Sequence, residues 1–194
     1  MHAPDQTLLR AGLLDGRVVA FAGGASGAAR ACAALGAATP VLDADLHDEA
    51  AVADAAGALG AVGTLVCDAA APFAAAGGAL DGLRAGLDGA FNATRAVVNA
   101  VLRPAGGGKV VLLAPRPGDG AHAGALRAAV ENTVRTLSVE WARHRITPTA
   151  ILPGDATTSE DVGALVAFLA SAAGDYFSGC AFTLGAAQRA RDPG

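Results

Sequence analysis

Short Val- and Leu-rich runs alternate along this chain with longer Ala-rich segments of helical spacing, and that alternation restricts the fold more than any other feature. "RVVAFAG" (Arg17 to Gly23), "PVLDAD" (Pro40 to Asp45), "GTLVCDAA", "GKVVLLA" (Gly108 to Ala114), "RITPTAILPG" and "FSGCAFTLG" read as strands. Helices are expected over "GASGAARACAALGA", over "HDEAAVADAAGAL" with acids in its first turn, and from Leu80 to Leu102. A further helix covers 121–143, where Leu126, Val130, Val134, Leu137 and Trp141 recur at helical spacing. The last, "SEDVGALVAFLAS", has Ser159 as its expected N-cap. Pro148 lies inside a strand and should sit where its missing N–H is not needed. Strand–helix alternation of this kind implies a parallel sheet covered on both faces. A ligand of such a sheet is placed at the carboxyl ends of the strands.

A chain of 194 residues supports one well-buried domain. It is expected over 15–187, between a loose leading segment, 1–14, and a tail, 188–194. Although 53% of the residues are hydrophobic, many are alanine, and 26 are glycine, so close helix–sheet contacts with few large anchors are expected. The net charge is −4 with both signs mixed, and no Lys/Arg run could track a phosphate backbone, which argues against nucleic acid. Apolar stretches are interrupted before they reach the length of a membrane span. "MHAPDQTLLR" lacks the pattern of a secretory signal. Cys32, Cys67 and Cys180 are widely spaced and match neither a disulfide framework nor a metal site. A reduced, cytoplasmic protein is expected.

Gly23, Gly27 and Ala29 stand in a G-x-x-x-G-x-A spacing between a strand and a helix. Such a turn lets backbone approach a pyrophosphate that rests on the helix N-terminus, although a glycine turn needing φ > 0 explains it without any ligand. Taken with "LVCDAAA", "GAFNATRAVV", "GKVVLLA", "RAAVENTVRTLSVEWARHRITPTAILPG" and the final "SEDVGALVAFLAS…FSGCAFTLGA", the order of motifs resembles the short-chain dehydrogenase/reductase family nearly end to end. The resemblance implies a three-layer, doubly wound, Rossmann-like α/β fold. The sheet should be mainly parallel with about six strands, lacking one strand–helix unit and the substrate lid. It also implies a catalytic tyrosine, lysine, serine and asparagine, whose positions fall on Ala123, Arg127, Pro115 and Gly86. Alanine and proline side chains cannot transfer a proton, so ordinary carbonyl reduction is expected to be lost.

The cofactor positions implied by the resemblance are altered as well. Ala22 replaces a threonine, and Asp68 stands in the family's asparagine-rich loop. Gly23, Ser26, Gly27, Ala29 and Asp45 remain as vestigial contacts for NAD(P), whose binding is expected to be weak or lost; Asp43 is a candidate mimic of the ribose-binding acid. Thr158 keeps the spacing of a nicotinamide-binding threonine, and a helix-capping residue has the same spacing. His122, Arg127 and Asp68 are the catalytic candidates. His122 is one residue from the tyrosine position, an offset of about 100° around a helix. Arg127 suits a carboxylate or a structural ion pair. Asp68 and Asp155 sit at strand ends where polar residues are ordinary.

Three functions follow. The first is a non-catalytic subunit that forms a homo- or hetero-oligomer through helices 80–102 and 121–143 and pairs with an active paralogue; the resemblance implies that these helices form the interface. The second is a non-redox enzyme of cyclase, isomerase or lyase type. The third is an NAD(P)-binding sensor.

Overall fold

Val19–Ala22 (β1), Thr64–Asp68 (β2), Gly108–Leu113 (β3), Ile146–Leu152 (β4) and Ala181–Thr183 (β5) form one parallel sheet in the order β1-β2-β3-β4-β5. The computed structural model describes residues 9–185; residues 1–8 of the leading segment and the tail 188–194 lie outside them. Leu14, expected to be loose, is fully buried, and its N–H donates to Leu35 O at 2.9 Å. Packed chain therefore begins before residue 15.

The expected sixth strand is reduced to two bridges beside β1, Val18↔Ala38 and Phe21↔Val41, and does not continue to Asp45. Pro40 removes a donor here and Val41 is largely exposed, as suits a frayed edge. Pro148 behaves as expected. Its carbonyl accepts from Gly179 N–H at 2.8 Å, while the pairing with β5 starts only at Ala150. Its missing N–H thus costs no ladder bond.

The period of two along the strands sorts side chains to two cores. Ala20, Ala22, Leu65, Cys67, Val110, Leu112, Ala150 and Leu152 face one helical layer. This layer contains Glu49–Ala58 (α2), Leu80–Val97 (α4) and Ala123–Trp141 (α5), with Ala70–Ala75 (α3) packed on α4. Val19, Phe21, Val66, Val111, Leu113 and Ile151 face the other layer, made by Ser26–Ala34 (α1) and Ser159–Ala170 (α6). Small residues set the spacing of α1 and α6: a Cβ on Gly163 would lie 2.8 Å from Ala31 Cβ.

Three element ends differ from expectation. The long helix changes to a π turn over Val98–Leu102. Helix α6 is capped by Thr158 rather than Ser159, in a reciprocal box in which Thr158 Oγ1 accepts from Asp161 N–H and Asp161 accepts from Thr158 N–H. The closing strand is only three residues long, because the chain over 177–180 bends through Gly179 at φ 69 before it.

Candidate functional site

After β1 the chain crosses to the 38–41 edge and then returns to the far side of β1 as β2, so the winding reverses between β1 and β2. A cleft of about 380 Å³ opens at this switch point. Its walls come from the turn after β1 (Gly24 to Ala28), the end of β2 (Asp68), the chain after β3 (Arg116 and Asp119) and the start of α6 (Ser159).

Asp68 is the best-held polar group in the cleft. Its Oδ1 accepts from Ala70 N–H at 2.9 Å and Ala71 N–H at 3.2 Å, which caps α3. Its Oδ2 accepts from Ala25 N–H at 3.1 Å, at the entrance to α1. Burial raises the carboxyl above its usual range; the three N–H donors oppose that shift and nearby Asp119 adds to it.

The glycines of the loop are used mainly by the protein itself. Gly23 has φ +83, and a Cβ there would lie 2.3 Å from the Asp68 carbonyl oxygen. A Cβ on Gly27 would meet Ser159 Cβ at 3.4 Å, so this residue serves the contact of α1 with α6. Ser26 is exposed beside the cleft, Ala29 is half-buried one turn into α1, and Gly27 also lines the cleft. A pyrophosphate would find the first N–H of the α1 entrance engaged by a carboxylate, with a second acid, Asp119, also lining the cleft. Opposing these acids is Arg116, whose Nη2 already donates to Thr157 O at 3.0 Å. These residues do not fit a dianionic pyrophosphate.

Other sequence candidates lie elsewhere or have structural bonds. Asp45 is exposed and accepts from His47 N–H at 3.0 Å in a local turn; it does not line the cleft. Asp43 is exposed and also absent from the lining. Arg127 Nη1 donates to Pro115 O and Pro153 O, each at 2.6 Å, tying together the chain that leaves β3 and β4. Burial lowers the pKa of its guanidinium, with Asp155, Asp119 and Glu131 opposing that shift. His122 stands at the N-cap of α5, where its N–H donates to Gly78 O at 3.3 Å. Its Nδ1 is buried without a hydrogen-bond partner, and it is not among the residues lining the cleft. Asp155 Oδ1 accepts from Gly118 N–H at 3.0 Å. Thr158 acts in the α6 cap.

Three of the four positions that the resemblance implies for catalysis lie closed within the fold. Ala123 is fully buried and Pro115 is buried. At Gly86 a Cβ would lie 2.6 Å from Leu126 Cδ2 and 2.7 Å from Ala69 O. Sequence reasoning missed the triple anchoring of Asp68 and the role of Arg116. An acid four residues before Pro72 was the available signal, because it marks a helix start with proline in its first turn.

The fold class is that of the short-chain dehydrogenases/reductases, here in a shortened form. No protein-family model matches the chain, and no curated protein matches it. Solved structures do. A citronellol catabolism dehydrogenase of Pseudomonas aeruginosa PAO1 aligns with a TM-score of 0.73 and 24% identity, covering 91% of this chain and 96% of its own. A Serratia marcescens short-chain dehydrogenase/reductase mutant aligns with a TM-score of 0.72 and 20% identity, covering 89% and 97%. A gluconate 5-dehydrogenase of Burkholderia cenocepacia J2315, in complex with NADP and tartrate, gives 0.70 and 22%, covering 88% and 94%. Among the described residues, no helix is long and apolar enough to cross a membrane, and no group of three or more His, Cys, Asp or Glu could hold a metal.

Proposed function

We propose that this protein is a non-catalytic subunit with a short-chain dehydrogenase/reductase-like fold, which associates with an active relative through the outward faces of α4 and α5. One observation carries the reading. The proton-transfer positions hold Pro115, Ala123 and Gly86, and the lysine position holds an arginine whose Nη1 is committed to two backbone carbonyls. General acid–base chemistry needs a titratable group within reach of the reacting atom, and these residues offer none. The two helices meanwhile keep apolar groups in solvent: Leu80 and Phe91 on α4 are about half exposed, and Val139 on α5 is 79% exposed. Burying such side chains in a partner would stabilise association by about 1.5–3 kcal/mol for each one fully covered. NAD(P) binding is weak or lost in this reading, because Asp68 occupies the N–H that an anion would take.

The test is native mass spectrometry of the protein isolated from its own cells. A complex containing a second, full-length dehydrogenase/reductase chain is expected, and Val139→Asp should dissociate it. Recovery only as a monomer or homo-oligomer would overturn the reading.

The open cleft supports a second reading, a non-redox enzyme or sensor for a small molecule. Asp68, with its raised pKa, would be its proton-carrying group. Saturable binding of a small molecule, abolished by Asp68→Ala in a folded variant, would favour it over the subunit role.

A further inference from the structure

At the amino-terminal pole of the sheet, opposite the cleft, lies a group of cations that the reading above does not use. Helix α4 ends there in its π turn, Val98–Leu102, followed by Arg103. Helix α5 ends in a 3-10 turn over Ala142–His144, followed by Arg145 in the left-handed region at φ 54. These irregular ends share a surface concavity of about 690 Å³ lined by Asn99, Arg103, Pro104 and His144. π turns recur at functional sites because they turn side chains out of the ordinary helical register.

The polar groups around this concavity keep most of their donors available. Arg103 Nη1 donates to Asn99 Oδ1 at 3.0 Å, which leaves the Asn99 amide nitrogen as a donor. Arg143 Nε donates to His144 Nε2 at 3.2 Å, and Arg145 Nε donates to Gly106 O at 3.0 Å. Among the described residues, the ion pairs are Arg95–Glu49, Lys109–Asp175 and Arg135–Glu131. None involves Arg103, Arg143 or Arg145, and Glu140, one turn back on α5, is not paired with them. Partial desolvation and the neighbouring Arg103 and Arg143 hold His144 below its ordinary pKa.

Cations at helix C-termini have an ordinary explanation in the helix dipole, which places roughly half a negative charge at each C-terminal end. Two helix ends therefore account for about one unit of charge, whereas three guanidinium groups bring three. With Glu140, one turn back on α5, counted as well, an excess of roughly one positive charge is unexplained by the helix ends. It is also local, since the whole chain carries −4.

We propose that this concavity is a binding site for a small phosphate-type dianion, free phosphate or a phosphate monoester, gripped by Arg103 with Asn99 as an added donor, while Arg143, bonded to the lining residue His144, adds a second positive charge at its edge. Planar guanidinium forks match phosphate oxygens in pairs, and the surrounding negative charge confines an anion to this pole. An anion bound here would also favour the protonated form of His144.

The experiment follows the His144 imidazole resonance by NMR during titration with inorganic phosphate, against chloride at matched ionic strength, assigned with His144→Gln. A saturable shift and a raised His144 pKa in phosphate are expected. Arg103→Ala combined with Arg143→Ala should weaken binding by about tenfold or more while the far-UV circular dichroism is unchanged. Arg103→Lys, which keeps the charge and loses the fork, should fall between. A shift no larger than chloride produces, or equal affinity in the double variant, would overturn the proposal. Glycerol phosphate is the second arm: tighter binding than inorganic phosphate identifies a monoester as the ligand, and equal binding identifies free phosphate.

Discussion

Replacing Lys109 by methionine tests how the last turn of α6 is held. Lys109 begins the second position of β3, yet it is only 8% exposed, an unusual place for an ammonium group. Its Nζ donates to Leu169 O at 2.9 Å, donates to Ser171 O, and pairs with Asp175. Leu169 O is a C-terminal acceptor of α6 that the helix itself cannot satisfy, and Ser171 O, at the C-cap, also accepts from Gly174 N–H at 3.1 Å. Methionine retains the bulk and removes the donors. A hydrogen bond to a charged group contributes about 1.5–3 kcal/mol, so losing two gives about 3–6 kcal/mol. Release of the buried charge from its desolvation cost offsets part of that loss, and about 3 kcal/mol remains. In a chain of this size that lowers Tm by about 6–12 °C. Asp175 is mostly exposed, so Asp175→Asn should cost less than about 1 kcal/mol. Urea and thermal unfolding followed by circular dichroism measure both. If Lys109→Met stays within about 0.5 kcal/mol of the parent, the clamp is not what holds this turn.

Four more outcomes are expected. The folded-state pKa of Asp68 is raised, so the folded protein binds more protons than the unfolded chain above pH 3.8. Its contribution to stability is therefore full below 3.8 and is lost as pH rises through the folded pKa. Asp68→Asn should flatten that part of the profile in urea unfolding at a series of pH values; identical slopes would contradict the linkage. Gly23→Ala should destabilise by more than about 3 kcal/mol, since it combines a positive φ with a backbone clash, whereas Gly57→Ala in open space on α2 should stabilise by about 0.5–1 kcal/mol. Arg127→Met should cost about 2 kcal/mol by freeing the Pro115 and Pro153 carbonyls, read as a lower urea midpoint. Thr158→Ala should cost about 1 kcal/mol through the lost cap of α6, by the same assay.

What could be read from the sequence was whatever depends on local pattern. The Val- and Leu-rich runs around Val19, Leu65, Val110 and Ile151 alternate with amphipathic helices, and a parallel sheet covered on both faces follows from that. Capping was misplaced by one residue because Thr158 and Ser159 are both good N-caps, and the choice was settled by Asp161 reaching back to Thr158. The edge segment around Pro40 keeps ladder bonds to β1 on either side of that proline, whose missing N–H interrupts the pairing. Contacts between distant residues were not legible: Lys109 with Leu169, Asp68 with Ala25 and Arg127 with Pro153 depend on the assembled fold. Asp68 was visible as a candidate by its place in the resemblance, but its three N–H donors were not.

On the proposed reading, the cleft at the switch point does not hold a dinucleotide and the chain does not carry out hydride transfer itself. Titration of the purified protein with NADH and NADPH, monitored by nicotinamide fluorescence with the solution mass recorded alongside, tests this most directly. A linear response without saturation is expected. Saturable binding in the micromolar range would contradict it and return the cleft to the nucleotides.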